Sequence, residues 1–400
     1  MQLGIDRLLK DKSLRQSLHG KRVALLAHPA SMTHDFQHAL DALMTYSDLK
    51  ITSAFGPQHG MKGEKQDNMV ESKDYHDPVH GIPIFSLYGD VRRPTKTMLD
   101  SFDVLLVDVQ DIGTRIYTFL TTLRYVLEAG AEAKKSVWIL DRPNPAGRSV
   151  EGSLLKPGFE SFVGAGPIPM RHGLTLGEAA LWFKDHFKLD VDLNIVTMAE
   201  YDPIAAPGFG WPLGELPWVN PSPNATTLSM ARCYPGTVLI EGTTLSEGRG
   251  TTRPLEIVGA PDIDMQKILK KMHVMAPNWL RGCKIRPCYF QPTFHKHANQ
   301  ICEGMQIHVD DTSYNHDVFR PYRLITLWLK AIRQTYPDYK IWRDFHYEYE
   351  KDRLAIDLIN GGPALREWVD DAKADVNDFD SFLKTDEESW AHDRQKFLLY

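Results

Sequence analysis

"DVLLVDVQDIGTRIYTFLTTLRYVLEAGAEAKKSVWILD", residues 103–141, is the stretch on which the reading of the fold turns. It opens with an unbroken apolar run, "DVLLVDV", and passes through a polar turn, "QDIGTR". A helix-like segment, "FLTTLRYVLEAGAEA", follows, and a second apolar run, "SVWILD", closes it. Strands buried on both faces read as continuous apolar runs, and two of them joined through a helix make a βαβ unit with parallel strands. The same alternation extends in both directions. "RVALLAH", "ITSAF" and "IPIFSLY" precede the stretch, "LNIVTM" follows it, and "FQHALDALMTY" supplies another helix between strands. Polar punctuation falls after the strands: "HPAS", "GPQHG", "YGDVRRP", "QDIGTR" and "DRPNPAGR". In an open, mostly parallel α/β sheet these loops share the carboxyl edge, where such folds bind ligands.

Past residue 200 the pattern changes. "APGFGWPLGELPWVNPSPN" (206–224) carries too many prolines for a helix or a central strand, and reads as an ordered crossing with Phe209, Trp211 and Trp218 as flat faces. The second half holds strand-like runs, "GTVLIEG", "CKIRPCYF" and "MQIHV", and helices around 321–334, 352–359 and 363–384.

The chain has 400 residues and a net charge of -6, with its 46 basic residues dispersed, so no basic face for nucleic acid is expected. No apolar run is long enough to span a bilayer, and the first residues lack a signal peptide's core. The four cysteines show no C-x-x-C spacing and read as reduced thiols, so a cytoplasmic protein is expected. His59, His76 and His80 lie near Asp74 and Asp77, but "HDPVH" is not the helical pair of a zinc hydrolase. The first strand ends without a phosphate-binding glycine motif. Neither a metal nor another cofactor is expected, and the sequence sets no oligomeric state.

Several loops carry chemistry. "EGTTLSEGRGTTRPLE" (241–256) alternates Glu241, Glu247 and Glu256 with Arg249 and Arg253, which suits an anionic, polar ligand as well as a salt-bridge lattice. Asp111 and Arg115 follow the strand at 103–109, and Asp111 is equally suited to capping the next helix. "DRPNPAGRSVEG" offers Asn144 and Glu151. In "PIPMRHGLTLGEAALWF", Thr175 and Glu178 read as a capping box, leaving Arg171 and His172 to face a ligand.

These stretches, with "FGPQHGMKG", "SLYG", "WVNPSPN" and "FQPTFHKHANQICEGMQIHV", resemble the NamZ-type (YbbC-like) peptidoglycan exo-β-N-acetylmuramidases in matching order along almost the whole chain. The resemblance implies a Rossmann-like N-terminal domain (1–230), a smaller α+β C-terminal domain (231–400) and an active-site cleft between them. It also implies release of terminal N-acetylmuramic acid from a small, peptidoglycan-derived carbohydrate. The family's motif places a proton-donating Glu where this chain has Gln58. Glycoside hydrolysis needs a group to protonate the leaving oxygen, and an amide cannot do so. Relocated acids are therefore expected at Glu64, Glu247 or Asp111, with His59 also catalytic. Gln58, Arg115, Asn144, Glu151, Arg171, His172, Asn224, Arg249 and Arg253 are expected to bind substrate. A non-catalytic sugar-binding protein, or a hydrolase of another glycoside, remains open on the sequence.

Overall fold

The computed structural model describes residues 1–63, 65–67, 69–348 and 350–400. Seven strands form the first sheet: β1 (Arg22–Ala27), β2 (Lys50–Gly56), β3 (Tyr75–His76), β4 (Pro83–Ser86), β5 (Val104–Asp108), β6 (Ser136–Leu140) and β7 (Asp192–Val196). Their spatial order is β3-β4-β2-β1-β5-β6-β7. All neighbours are parallel except β3 and β4, at one edge. The chain steps outward from β1 through β2 and β4, then crosses back to β5 and proceeds the other way. That is the topology of a doubly wound sheet.

Burial on both faces explains the unbroken apolar runs. Along β1, Val23, Leu25 and Ala27 enter a core shared with Leu3, Ile5 and Trp138. Ala24 and Leu26 enter the opposite core with Phe119, Leu120 and Val126. The helix Phe119–Ala133 forms over the residues expected of it. Its core extends into the second half, taking in Met230, Tyr234 and Trp328.

That half contains a smaller antiparallel sheet of order β8-β10-β9, with β8 at Ile257–Ala260, β9 at Lys284–Phe290 and β10 at Cys302–His308. The same half holds the helices Leu228–Thr237, Met265–Met275, Pro321–Thr335 and Val376–Asp393. "GTVLIEG" is not a strand. It finishes the helix Leu228–Thr237 and turns through a 3-10 helix, Val238–Gly242, buried on every side. A short, fully buried apolar run carries no period that separates strand from helix.

The two halves are stitched together. Tyr400 donates to Asp141 Oδ2 (2.9 Å), the indole of Trp390 donates to His172 O (2.8 Å), and Arg115 reaches the carbonyls of Ile359 (3.0 Å) and Asn360 (2.6 Å). At the switch point beside β1 the chain fills the crevice itself. His28 is fully buried and held neutral by that burial. Its Nε2 accepts from the Gln110 amide (2.8 Å), which leaves Nδ1–H to donate to Pro221 O (3.2 Å) in the crossing segment. Among the described residues no helix is long and apolar enough to cross a membrane.

Candidate active site

β2 ends in Gly56-Pro57-Gln58-His59, and the backbone turns there through a left-handed His59 (φ 72°). A non-glycine residue rarely adopts that conformation unless the surroundings impose it, and such residues cluster at functional loops. The turn sends the Gln58 side chain into a recess between the two halves, lined also by His59, Tyr117, Thr118, Ser222, Asn224, Tyr234, Glu241, Arg249, Tyr347 and Glu348. Thr118, at the start of the helix after β5, donates to Gln58 Oε1 (2.8 Å) and so fixes which way the amide points. Gln58 Nε2 then faces Glu348 Oε1 at 3.4 Å. Tyr88, just after β4, donates to the other carboxylate oxygen at 2.9 Å.

Glu348 comes from the second half. The stretch leading to it is pinned to the end of the 3-10 helix and the turn beyond it by backbone bonds from Arg343 N to Gly242 O (3.1 Å) and from Thr244 N to Ile341 O (2.8 Å). Glu348 itself adopts a positive φ of 47° and is 6% exposed. Burial, with a smaller push from Glu241 and against the Tyr88 hydroxyl, Arg92 and Gln58, raises its carboxyl to about 7. A carboxyl tuned to that range is half protonated near neutrality, as a general acid requires.

Glu241 is the second carboxylate in the recess. It is held by Arg249 (2.6 Å) and by the Tyr347 hydroxyl (2.8 Å). Arg249 also donates through Nε to Glu247 (2.9 Å). Tyr117 and Tyr234 meet edge to face at 6.0 Å as part of the wall.

Of the residues expected at the site, Gln58, His59, Asn224 and Arg249 meet in this recess. Glu64 lies outside the described residues. Glu247 does not line the recess. It is fully buried between Arg249 and Lys296 (2.9 Å), and Lys296, Arg249 and His295 hold it well below the usual carboxylate range against the cost of burial. It is an anchor for Arg249 and cannot supply a proton. Asp111 also stands apart, accepting from Gly113 N (2.7 Å) to shape its turn and lying 3.5 Å from His172.

The remaining expected binders have internal duties. Arg115 spends its guanidinium on carbonyls of Ser153, Ile168, Ile359 and Asn360. Arg171 donates to Ala146 O, while Asn144 braces the same loop through Ala146 N and Leu174 O. Glu151 accepts from Tyr322 N and Arg323 N at the start of a helix. His172 accepts from Leu174 N. Arg253 lies half-exposed against Glu256 and Asp310. Arg249, the one cation among the described residues of the recess, is already paired with Glu241 and Glu247.

The sequence reading missed Glu348, Tyr88 and Thr118. "FHYEYE" (345–350) mixes acids with aromatics in a segment without period. Such a cluster is the only mark a pocket-forming irregular segment leaves in a sequence.

Two family models match in succession, the exo-β-N-acetylmuramidase NamZ N-terminal model over residues 23–229 and the NamZ C-terminal model over 232–400. The peptidoglycan β-N-acetylmuramidase NamZ of Bacillus subtilis (strain 168) is 37% identical over 404 residues, covering 100% of this chain and 91% of that protein. Two solved structures of DUF1343 family proteins from Bacteroides fragilis NCTC 9343 are similar throughout. One has a TM-score of 0.83 at 27% identity and the other 0.73 at 26%, each covering 100% of this chain and 98% of its own.

Proposed function

The chain belongs to the exo-β-N-acetylmuramidase NamZ family, and from that premise we propose that it is an exo-acting glycoside hydrolase releasing terminal N-acetylmuramic acid from peptidoglycan fragments, with Glu348 as its proton donor. The observation that carries the assignment of the acid is the contact of Glu348 with Gln58. A carboxyl pushed up to about 7 stands against the very amide that occupies the family's acid position. The acid has moved across the cleft from one half of the molecule to the other.

Glu348 gives its proton to the glycosidic oxygen, and the bond from the anomeric carbon to that oxygen breaks with its electron pair passing to the leaving alcohol. Water adds its oxygen to the anomeric carbon, and a proton returns to the Glu348 carboxylate. Glu241, held in place by Arg249 and Tyr347, lends negative charge to the oxocarbenium-like transition state. Gln58, His59 and Asn224 orient the hydroxyl and acetamido groups of the ring. A cytoplasmic location belongs to the same proposal and is supported by four free cysteines.

Incubating the purified protein with an N-acetylmuramyl-terminated disaccharide is expected to release the terminal sugar and a free reducing sugar in equal amounts. No release at any acidic or neutral pH, from this or related amino-sugar disaccharides, would contradict the proposal.

A further inference from the structure

Arg171, Arg232 and Arg320 come from separate stretches of the chain and meet around one aromatic group where the two halves join. Arg171 Nη2 lies 3.3 Å from both ring nitrogens of His316, which stacks on Phe209 of the crossing segment (4.8 Å between centroids, 5° between planes). Arg232 lies over the Tyr314 ring at 4.4 Å, and the Tyr314 hydroxyl contacts His316 Nδ1 at 2.8 Å. Arg320, half-buried at the head of the helix Pro321–Thr335, acts electrostatically on both Arg171 and His316. None of these residues lines the recess, and the hydrolysis described above uses none of them.

The group lacks a counter-ion. Among the described residues none of the three arginines is ion-paired with a carboxylate. Glu151 acts on Arg171 from beyond contact and is committed to Tyr322 N, Arg323 N and the Arg323 guanidinium. Asp310 acts on Arg232 and lies 3.6 Å from Arg253. Arg171 and Arg232 are 1% and 5% exposed, and each keeps one donor, Nη1 and Nε respectively, buried without a hydrogen-bond partner. His316 offsets nothing, since burial and the three arginines hold it neutral. Buried like charges with open donors destabilise a fold, and an anion that joins them relieves the strain.

We propose that this cluster is a binding site for a dianionic phosphate group, separate from the sugar recess and independent of the hydrolase reading. Arginine donors arriving from several directions suit a tetrahedral, doubly charged oxyanion. A planar carboxylate carries one charge and would leave the other cations unmatched. Arg171 Nη1, Arg232 Nε and the half-exposed guanidinium of Arg320 donate to the phosphate oxygens. The way in lies past Phe209, half-buried and in a left-handed conformation (φ 48°) that a bulky side chain adopts only under constraint. Arg171 precedes the crossing segment and Arg232 and Arg320 follow it, so the bound anion ties the two halves together and stabilises the folded chain.

The test is calorimetry and thermal unfolding of the full chain in phosphate-free buffer at fixed ionic strength. The added solutes are inorganic phosphate, glucose 6-phosphate, acetate and sodium chloride. A phosphate is expected to bind saturably at one site per chain and to raise the melting temperature above the chloride control, with acetate far weaker. Equal binding of the two phosphates shows that the phosphate group alone is read, and a preference names the free ion or the ester as the ligand. Arg232→Gln, and independently Arg320→Gln, should weaken binding by on the order of tenfold or more. Arg320 gives up a single bond, to Phe319 O, along with a repelling charge, so Arg320→Gln should melt no lower than the wild-type protein without anion. Lost binding in that variant is then not lost folding. No effect of either phosphate beyond that of chloride, acetate binding as tightly as phosphate, or affinity indifferent to both substitutions overturns the proposal.

Discussion

At Gln58 the side chain that cannot titrate has been built into the support of one that can. Its Oε1 is taken by Thr118, and its Nε2 is the neighbour of Glu348. Replacing Gln58 by Glu would set a second carboxylate beside the first, and like charges at contact resist double ionisation. The pair is then expected to titrate in two separated steps, and the basic limb of the kcat/KM profile should move to higher pH. Tyr88→Phe acts in the same direction, because the lost hydroxyl stabilises the ionised carboxylate. A pH-rate series on the two variants checks both; a basic limb moving to lower pH would contradict the role given to either neighbour. Stability follows the same carboxyl. Its folded value, about 7, lies above the ordinary glutamate value of 4.5 expected in the unfolded chain, so the folded state holds the extra proton between them. Glu348 therefore favours folding most at low pH, and that contribution is lost as pH rises through about 7. Glu348→Gln should flatten this part of the stability curve in denaturant titrations.

At the scale of elements, the loop after the 3-10 helix and the segment ending at Glu348 act as one wall. Glu247 anchors Arg249, Arg249 holds Glu241, and Glu241 takes the hydroxyl of Tyr347, next to Glu348. Removing the buried charge in Glu247→Gln leaves Arg249 with Glu241 alone and Lys296 with only the carbonyls of Ile240 and Thr243, a change that costs about 3–5 kcal/mol when a buried pair is broken. Arg253→Ala, on a half-exposed side chain, should cost about 0.5 kcal/mol or less. Thermal unfolding of the two variants separates an anchor from a surface pair, and equal melting temperatures would refute the distinction. The recess itself encloses only about 40 Å³, far below the roughly 300–1,000 Å³ of a ligand cleft, so the proposed site is expected to admit a pyranose ring only by displacing this wall. Hydrogen exchange in residues 341–348 is expected to slow when a sugar product is bound; unchanged exchange would locate the ring elsewhere.

For the whole molecule, the sequence revealed the frame far better than the cleft. The strands of the first sheet are buried on both faces, as β1 shows by feeding two cores alternately, and that burial writes itself into unbroken apolar runs. The convergence of the loops at one edge followed from chain direction alone, and Gln58, Tyr88 and Thr118 do meet there. What stayed hidden depends on contacts between distant residues. Arg115 and Arg171 look like substrate-binding cations in sequence, yet their guanidiniums are held by buried backbone carbonyls. Glu247 looks like an acid until Lys296 and Arg249 are seen on either side of it. Glu348 lies 290 residues from Gln58, in a segment with no regular structure, so neither period nor spacing points to it.

The most direct measurement is the pH dependence of kcat/KM for an N-acetylmuramyl disaccharide, run on the wild-type protein and on Glu348→Gln. The wild-type rate should fall as pH rises through about 7, where the carboxyl loses its proton. The variant should lose that limb along with about 10²–10⁴ of the rate, and recover most of it on an aryl glycoside whose leaving group needs no proton. A variant that cleaves the disaccharide at the wild-type rate with the same pH profile would show that the proton comes from somewhere else.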